Sequence, residues 1–294
     1  MTSTGQVSED LPTVYRLHAA TGANDRDATF AYMLDNELVA VGWGSERLGS
    51  APDWPTYERE AAAKYGKVSS AARAMHDALD GALVWMRDPQ GTYYLARIEG
   101  DWRYLADAAA ADVDLFNARP ATIRPVGVES RVPGKVANSF IRGQAFRHIW
   151  DEAARRYTQS LWEELAGEPP SFRPSYAAVL RSLLGPQELE DLVAVYLQRE
   201  QDYLVLPASR RPDTPAYEYV LRHPDGHEAV VQVKTGESAV PVGADALPVD
   251  HIDRVYVFSP NDRYTGTQAA NVEKLDFEGL VGFMREQPDS LPPL

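Results

Sequence analysis

Three side chains that can bind a metal ion and handle a proton lie close together in the second half of the sequence. Glu218 precedes the turn residues Pro224-Asp225-Gly226, and Gln232 and Lys234 follow them. Runs rich in Val, Tyr and Leu flank the turn, which predicts a β-hairpin. An antiparallel register centred on Asp225 puts Glu218 opposite Gln232, because each lies seven positions from that residue.

The side chains of such a hairpin alternate between its two faces. Glu218, Val220 and Arg222 are therefore expected on one face, together with Gln232 and Lys234. The other face is apolar and is expected to pack on a core. Its members are Tyr217, Tyr219, Leu221, Ala229, Val231 and Val233. A slip of one residue would bring charges into that core, so the pattern constrains the register.

An acid, a short hairpin and the run Gln232-Val233-Lys234-Thr235-Gly236 together resemble the PD-(D/E)xK nuclease superfamily. Glutamine in place of the usual second acid is similar to the Mrr-type QxK branch of modification-dependent restriction endonucleases. The resemblance implies a restriction-endonuclease-like αβ sheet. It also implies one further acid on a helix upstream of the hairpin.

Residues 185–197 predict that helix. Pro186 suits the first helical turn, and the apolar residues recur at i, i+3, i+4, i+7 and i+8, as in a helix packed on a sheet. These apolar residues are Leu189, Leu192, Val193, Tyr196 and Leu197. Glu190 lies on one shoulder of the stripe and is the expected acid. Glu188, on the other shoulder, is the alternative.

The resemblance implies hydrolysis of phosphodiester bonds with Mg²⁺, for which Mn²⁺ can substitute. Oxygen ligands suit Mg²⁺, which neutralises developing charge and activates water. The implied ligands are Glu218, the side-chain oxygen of Gln232 and the carbonyl of Val233, with Glu190 acting through water. Lys234 is expected to orient or deprotonate the attacking water and to stabilise charge on the phosphate.

The chain departs from the usual pattern in its first acid, which is Glu rather than Asp. A Pro-Asp pair nearby makes Asp213 the alternative ligand. Glu218 is preferred because it faces Gln232, whereas Asp213 lies in the breaker-rich loop 210–215. In the non-catalytic interpretation, Glu218 and Lys234 form a cross-strand ion pair on a solvated face.

A chain of 294 residues is long enough for about two domains. Residues 167–174 are rich in chain breakers and predict a linker. Ahead of it, residues 148–165 predict a connecting helix. The predicted division is a first domain at 1–147, the helix and linker at 148–175, and the nuclease domain at 176–294. The fold class is α/β and α+β.

The first domain is predicted to be a small β-barrel with helices. Its expected helix spans 56–79 with an interruption at Gly66, and its short apolar runs predict strands. The strands are expected at 28–34, 38–44, 82–86, 92–98 and 102–105.

Four segments of this domain resemble the EVE/PUA-like reader domains of modification-dependent restriction enzymes. They are Val41-Gly42-Trp43-Gly44, 80–84, 94–104 and the closing segment 133–140. The resemblance implies a pocket that accepts a flipped base, stacks it on aromatic rings and tests its edge by hydrogen bonds. The expected rings are Trp43, Trp102 and Tyr104, and the expected polar readers are Asn138 and Ser139. Ordinary core packing is the alternative for each ring.

Charge restricts how such a protein could bind nucleic acid. The sequence has 29 Lys and Arg against 43 Asp and Glu, a net charge of −14, and a pI of about 4.9. A strong non-specific DNA binder should be basic, so affinity is expected from a local patch, a metal and a specific pocket. The candidate phosphate contacts are Arg142, Arg147, Arg155, Arg156, Arg210, Arg211 and Arg222.

The sequence contains no cysteine, which excludes disulfides and cysteine-based zinc sites. A polar N-terminus without an apolar signal core favours a cytoplasmic protein with no membrane association. The resemblances together predict a type IV restriction-like endonuclease that defends against phage by cutting double-stranded DNA with a modified base. A homodimer is compatible with this function, because one such site cuts one strand. The alternatives are a non-catalytic modified-nucleic-acid-binding protein with a degenerate nuclease fold, and an RNA-directed nuclease.

Overall fold

Two units of mixed α/β structure make up the chain. A computed structural model describes residues 11–19, 22, 25–45, 50–141, 144–209, 217–243 and 252–287. The first unit comprises Met1–Val132 and Val136–Arg173, and the second comprises Pro133–Lys135 and Pro174–Leu294. The main division at residue 173 falls close to the predicted boundary at residue 175. No helix in the described ranges combines the length and apolar character that crossing a membrane requires.

The first unit combines short helices with seven strands that form a curled half-barrel. Its strands are β1 Val14–Leu17, β2 Leu38–Val41, β3 Leu83–Arg87, β4 Tyr93–Ile98, β5 Arg103–Tyr104, β6 Asn117–Gly127 and β7 Phe146–His148. Its helices are α1 Arg26–Asp35, α2 Trp54–Tyr65, α3 Ser70–Asp77, α4 Ala108–Asp112, α5 Gly134–Ser139 and α6 Glu152–Ala166, with a 3₁₀ turn at Glu129–Arg131.

The long strand β6 produces the curl of the sheet. The strand order is β2-β6-β4-β3-β1-β7, and β5 also pairs with β6. The first residues of β6 pair with β2 and β5, as in Val41↔Asn117 and Tyr104↔Asn117. Its later residues pair with β4, as in Ala96↔Ile123. One strand therefore belongs to both sides of the half-barrel and places Asn117 where they meet.

The strand predicted at 28–34 is wrong, because these residues lie in helix α1. The Asp25 side chain caps the helix by accepting a hydrogen bond from the Ala28 N–H, 2.9 Å away. Phe30 and Met33 are buried on one side of the helix. The capping acid and this i, i+3 spacing outweigh the alternation of apolar residues that suggested a strand.

The helix predicted to connect the domains is α6, and it belongs to the first unit. Its Thr158 hydroxyl accepts a hydrogen bond from the indole N–H of Trp85 on β3, at 2.9 Å. The interruption predicted at Gly66 is confirmed, since that residue ends α2 with a φ of 77°. Glycine adopts this left-handed conformation without steric cost.

In its described residues the second unit has a five-stranded sheet with helices against one face, and a separate two-stranded parallel sheet at Val240–Pro241 and Tyr264–Thr265. Its strands are β8 Leu204–Val205, β9 Tyr219–Arg222, β10 Glu228–Val233, β11 Val240–Pro241, β12 Arg254–Phe258, β13 Tyr264–Thr265 and β14 Val272–Lys274. Its helices are α7 Tyr176–Ala178, continued by a π-helical turn at Val179–Leu183, α8 Pro186–Glu200 and α9 Phe277–Glu286, with a 3₁₀ turn at Pro207–Ser209.

The hairpin of β9 and β10 has the predicted register, with Val220↔Val230 and Tyr219↔Val231. The sheet order is β14-β12-β10-β9-β8. Strands β8, β9 and β10 are antiparallel, whereas β12 runs parallel to β10 and β14 parallel to β12. The hairpin therefore occupies the middle of the sheet.

Both faces of the hairpin are covered, although only one was expected to be. Tyr219 and Leu221 are fully buried, and the Tyr219 hydroxyl donates to the Glu190 carbonyl of α8 at 3.0 Å. On the other face Val220 and Val230 pack in a second apolar cluster. The remaining buried members of this cluster are Val240, Val242, Val255, Val257 and Val272. Tyr217 packs against it too, so its predicted place on the helix-covered face is wrong.

Candidate functional site

Glu218 and Lys234 are held at the end of the hairpin that lies away from its turn. Glu218 immediately precedes β9, and its N–H donates to the Val231 carbonyl at 2.8 Å. Lys234 immediately follows β10, and its N–H donates to the Phe258 carbonyl of β12 at 3.1 Å. Both residues therefore have fixed backbones, while their side chains extend beyond the regular pairing.

The two side chains form an ion pair. The Lys234 Nζ donates to Glu218 Oε1 at 3.1 Å. The Lys234 side chain retains 38% of its accessible surface, and the Glu218 side chain retains 20%. Solvent reaches this pair without fully surrounding it, so the interaction is screened less than one on an open surface.

Gln232 is on the same face of β10 as Lys234 by strand alternation and is almost completely buried, with 6% of its surface exposed. Its side-chain oxygen, Oε1, is inaccessible to solvent and accepts no hydrogen bond from the described residues. An unsatisfied buried acceptor costs about 1–3 kcal/mol.

Glu190 lies on helix α8, which packs on the face of the sheet that carries Tyr219. Gln232 and Lys234 are on the opposite face by strand alternation. The structure thus brings Glu218 and Lys234 together, has Gln232 on the same face as Lys234, and leaves Glu190 half-buried on the helical side. Its contribution to metal binding stays a prediction.

The alternative helical acid, Glu188, has a structural role. Its carboxylate accepts a hydrogen bond from the Gly185 N–H at 2.8 Å and so caps the start of α8. Burial raises the pKa of this carboxyl. The Val233 side chain is buried, and the ligand role predicted for its backbone carbonyl is untested. Asp213 lies outside the described residues.

In the first unit, an aromatic cluster surrounds the side chain of Asn117. The Asn117 carbonyl oxygen accepts from the indole N–H of Trp102 at 3.3 Å. Its amide donates to the Gly42 carbonyl at 2.7 Å and to the Tyr57 hydroxyl at 3.0 Å. The Tyr57 hydroxyl in turn donates to the Trp43 carbonyl at 2.9 Å. One buried amide therefore links the segments that carry the predicted rings.

Two of the predicted rings contact this cluster directly. Trp102 lies 5.7 Å from the Tyr57 ring, and Tyr104 lies 5.7 Å from the same ring on another side. Tyr104 is buried and stacks on Phe116. Burial raises the pKa of Tyr57 to about 12, so its hydroxyl stays protonated as a donor.

Trp43 has the left-handed backbone conformation, with a φ of 63°. A bulky residue in this region is uncommon and costs about 1–2 kcal/mol. The following Gly44 has no room for a side chain, because an added Cβ would lie 2.6 Å from the Phe116 ring. The Phe116 ring therefore packs directly on the Gly44 backbone, and this position requires glycine. The same packing holds the strained Trp43 in place.

The predicted reader role of Asn138 and Ser139 stays a prediction, and within the described residues the Ser139 hydroxyl bonds inside its own helix rather than to this cluster. Ser139 donates its hydroxyl to the Val136 carbonyl within its own helix, at 2.6 Å. The next residue, Phe140, packs edge-on against Tyr93 at 5.5 Å. The end of α5 thus packs on the face of the sheet that α6 covers.

The cluster also contains residues that the sequence motifs did not indicate. Trp54 stacks on His76 at 3.9 Å and meets Trp102 edge-on at 5.1 Å. Trp54 and His76 lie on α2 and α3, whereas Asn117 begins β6. Strand β6 was not among the predicted strands, because Pro120 and Pro125 lie within it and proline is unusual inside a strand. No local signal joins it to the two helices.

The candidate phosphate contacts differ in whether their guanidinium groups already have partners. Arg222 and Arg156 each pair with a glutamate. The Arg155 guanidinium holds the carbonyls of Leu11 and Pro12. Arg147 is exposed. Three further candidates lie outside the described residues, namely Arg142, Arg210 and Arg211.

No family model, curated protein or solved structure matches this chain. The residues and their geometry are therefore the basis of the proposed function.

Proposed function

We propose that this protein is a Mg²⁺-dependent endonuclease that cuts DNA carrying a modified base. The observation that supports the proposal is the Glu218–Lys234 pair at one end of a central hairpin, on a face that also carries Gln232 with a buried and unsatisfied side-chain oxygen. The second unit would cleave the phosphodiester bond. The first unit would read the base.

The topology of the second unit supports a nuclease-like sheet. Helix α8 precedes three antiparallel strands, and β12 then pairs in parallel with the last of them. This order agrees with the upstream helix and the hairpin that the sequence predicts. Topology alone does not define an activity, so the proposal depends on the side chains.

The side chains at this end of the hairpin fit a hard divalent cation. Glu218 offers a half-buried carboxylate, and Gln232 offers an amide oxygen without a hydrogen-bond donor. Both are ligand types that Mg²⁺ prefers. A bound Mg²⁺ would supply charge neutralisation and a more acidic water for phosphodiester hydrolysis.

Lys234 has the position and chemistry to handle the attacking water. Its ammonium reaches the same space as the Glu218 carboxylate, 3.1 Å away. From there it can hold a water by a hydrogen bond and donate to a phosphate oxygen as negative charge develops. Its anchored backbone reduces the reorganisation that this contact requires.

The aromatic cluster around Asn117 supports a base-reading role for the first unit. Flat rings stack on a flipped base, and amide groups test the edge of that base. Trp54 and Trp102 are half-buried rather than enclosed, so their rings keep surface for such a contact. Trp43, Trp54 and Trp102 are thus the proposed contacts for the base, with Asn117 and Tyr57 positioning them.

Cleavage of matched DNA duplexes tests the proposal. The substrates carry cytosine, 5-methylcytosine, 5-hydroxymethylcytosine or its glucosylated form, with Mg²⁺, Mn²⁺ or a chelator, beside an RNA of the same sequence. We expect metal-dependent cutting of one modified DNA, and its loss in Lys234→Ala with binding retained. Lys274→Ala is the matched control, because Lys274 is an exposed lysine at the end of β14 in the same unit.

Two outcomes would contradict parts of this proposal. Unchanged cutting by Lys234→Ala would exclude the mechanism assigned to the hairpin. Cleavage of RNA with DNA left intact would support the RNA-directed alternative.

A non-catalytic modified-nucleic-acid-binding protein is the second candidate. The observation that favours it is the ion pair itself, because Lys234 already neutralises Glu218. Binding of a modified DNA without cutting in any metal would support this candidate.

A further inference from the structure

His76 contributes an imidazole to the aromatic cluster of the first unit. Its ring stacks on Trp54, with centroids 3.9 Å apart, and lies edge-on to Trp102 at 5.9 Å. Trp54 in turn meets Trp102 edge-on at 5.1 Å. All three side chains are half-buried, so each keeps surface that a ligand can reach. The imidazole therefore lies beside the two indoles that are proposed to stack on a base.

The two polar side chains at the centre of the cluster cannot test the edge of a base. Asn117 and Tyr57 are fully buried. The Asn117 amide donates to the Gly42 carbonyl and to the Tyr57 hydroxyl, and that hydroxyl donates to the Trp43 carbonyl. Their donors are thus occupied within the protein. A base that enters the cluster must be tested by another polar group.

The imidazole of His76 has a defined orientation. Its Nδ1 lies 2.7 Å from Oδ1 of Asp77. Because an ionised carboxylate only accepts hydrogen bonds, Nδ1 of the neutral ring carries the proton and Nε2 is left as an acceptor. Nε2 has no hydrogen-bond partner among the described residues, and the side chain retains 32% of its accessible surface. An acceptor in a known tautomer is therefore open to solvent at the cluster.

A buried arginine holds the backbone of His76. The Arg119 guanidinium donates to the His76 carbonyl at 3.3 Å and also to the Ala78 carbonyl. Arg119 is only 4% exposed and lies two residues after Asn117 on β6, so both side chains leave the same face of that strand. One strand therefore positions the rings through Asn117 and the imidazole through Arg119.

We infer that His76 reads the base in the proposed reader site, with Nε2 accepting a hydrogen bond from an exocyclic amino group. The inference rests on the proposed function. Cytosine and its 5-substituted forms carry such an amino group at N4, whereas thymine has an oxygen acceptor in the same place. The neighbouring indoles would stack on any base. His76 would thus select an amino-bearing base and would not itself detect the modification.

Two DNA duplexes that differ in one base test this inference. One carries 5-methylcytosine opposite guanine, and the other carries thymine at the same position. Both bases have the 5-methyl group and differ on the pairing edge. Fluorescence anisotropy with the full chain in chelator gives the ratio of the two affinities. The wild type should prefer 5-methylcytosine by about fivefold or more, although the mismatched thymine is easier to flip.

Two variants separate the hydrogen bond from the packing of the ring. His76→Phe keeps a ring against Trp54 and removes Nε2, so it should lower the affinity ratio by about fivefold. Asp77→Ala lets the imidazole exchange tautomers and should lower the ratio as well. Asp77 has a side chain with 60% exposure, so this second variant decides the question if His76→Phe fails to fold. The cost of flipping each base is the same for every variant and cancels in the comparison.

His148→Phe is the matched control. His148 is a half-buried histidine of the same unit, and its ring contacts Tyr15 and Trp150 instead of the cluster. This variant should keep the wild-type ratio. A ratio that falls equally in His148→Phe and His76→Phe would reduce the effect to a general loss of stability and overturn the inference.

Other results separate this inference from the proposed function. If the wild type cuts a modified DNA but binds the two duplexes equally, or if His76→Phe keeps the wild-type ratio, the reading role of His76 is wrong and the nuclease proposal stands. A preference of the wild type for thymine would make Nε2 a donor and overturn its role as acceptor. If the wild type prefers neither duplex and cuts no DNA, both proposals fail.

Discussion

The ammonium of Lys234 lies 3.1 Å from the carboxylate of Glu218, where it neutralises the acid proposed to bind a metal ion. A cation arriving at Glu218 must compete with this lysine. Metal binding should therefore release Lys234 from its ion pair, because the metal ion and the ammonium bind the same carboxylate.

Replacing Lys234 by methionine should consequently tighten Mn²⁺ binding while abolishing cleavage. The expected gain is about 1 kcal/mol, roughly fivefold in affinity, the upper range for a solvent-accessible ion pair. Calorimetric titration with Mn²⁺ in the absence of DNA measures it. Glu218→Gln should lose the binding. Weaker Mn²⁺ binding in Lys234→Met would mean that the lysine supports the site in another way.

Gln232→Leu should stabilise the fold and remove the function. Leucine has a similar size and eliminates the unsatisfied buried oxygen, so the free energy of unfolding should rise by about 1 kcal/mol. Urea denaturation measures the stability, and Mn²⁺ titration measures the loss of the ligand. Gln232→Glu is the informative comparison, because it keeps an oxygen ligand. A destabilised Gln232→Leu protein would show that the amide has partners in solution.

At Trp43, glycine should be a better replacement than alanine. Both changes remove the ring, but alanine keeps a Cβ in the left-handed region, where φ is 63°. Trp43→Gly should therefore exceed Trp43→Ala in free energy of unfolding by about 1 kcal/mol. Equal stability of the two variants would indicate that the strain is absent in solution. Both variants should bind modified DNA less well, since both lack the indole.

Asn117→Ala should destabilise the first unit by about 2–3 kcal/mol. The substitution leaves the Gly42 carbonyl and the Trp102 indole N–H without their partner, and it opens a cavity. Thermal unfolding with Trp fluorescence measures the loss. Asn117→Asp keeps the acceptor for Trp102 but removes both amide donors, so it should also be destabilised. Wild-type stability in Asn117→Ala would remove this residue from its proposed positioning role.

His148 should make the protein less stable in mild acid. Burial, and then the charge of Arg155, lowers the pKa of the folded imidazole below its ordinary value. The unfolded chain therefore takes up a proton first as the pH falls below about 6.5, and folding stability is lost from there downward. His148→Phe keeps the ring between Tyr15 and Trp150 without titrating. Its loss of unfolding free energy between pH 7 and pH 5 should be smaller than that of the wild type.

Local patterns in the sequence were sufficient for the hairpin and for helix α8. A turn cluster between two β-branched runs defines one register, because a shift of one residue would expose Tyr219 and Leu221 and bury charge. The apolar stripe from Leu189 to Leu197 is similarly local. These patterns depend only on spacing along the chain, so the sequence alone is enough to put Glu218, Gln232 and Lys234 on one face.

The surroundings of these residues depended on contacts between distant parts of the chain. The face that Gln232 shares with Val230 packs on Val240 and Val242 around β11, a contact that the alternation within one hairpin does not reveal. Asn117 contacts Gly42 and Tyr57, residues 75 and 60 positions away. The end of helix α5 packs Phe140 against Tyr93, a contact that sequence order does not reveal. Long-range packing, rather than periodicity, therefore determined the environment of each candidate residue.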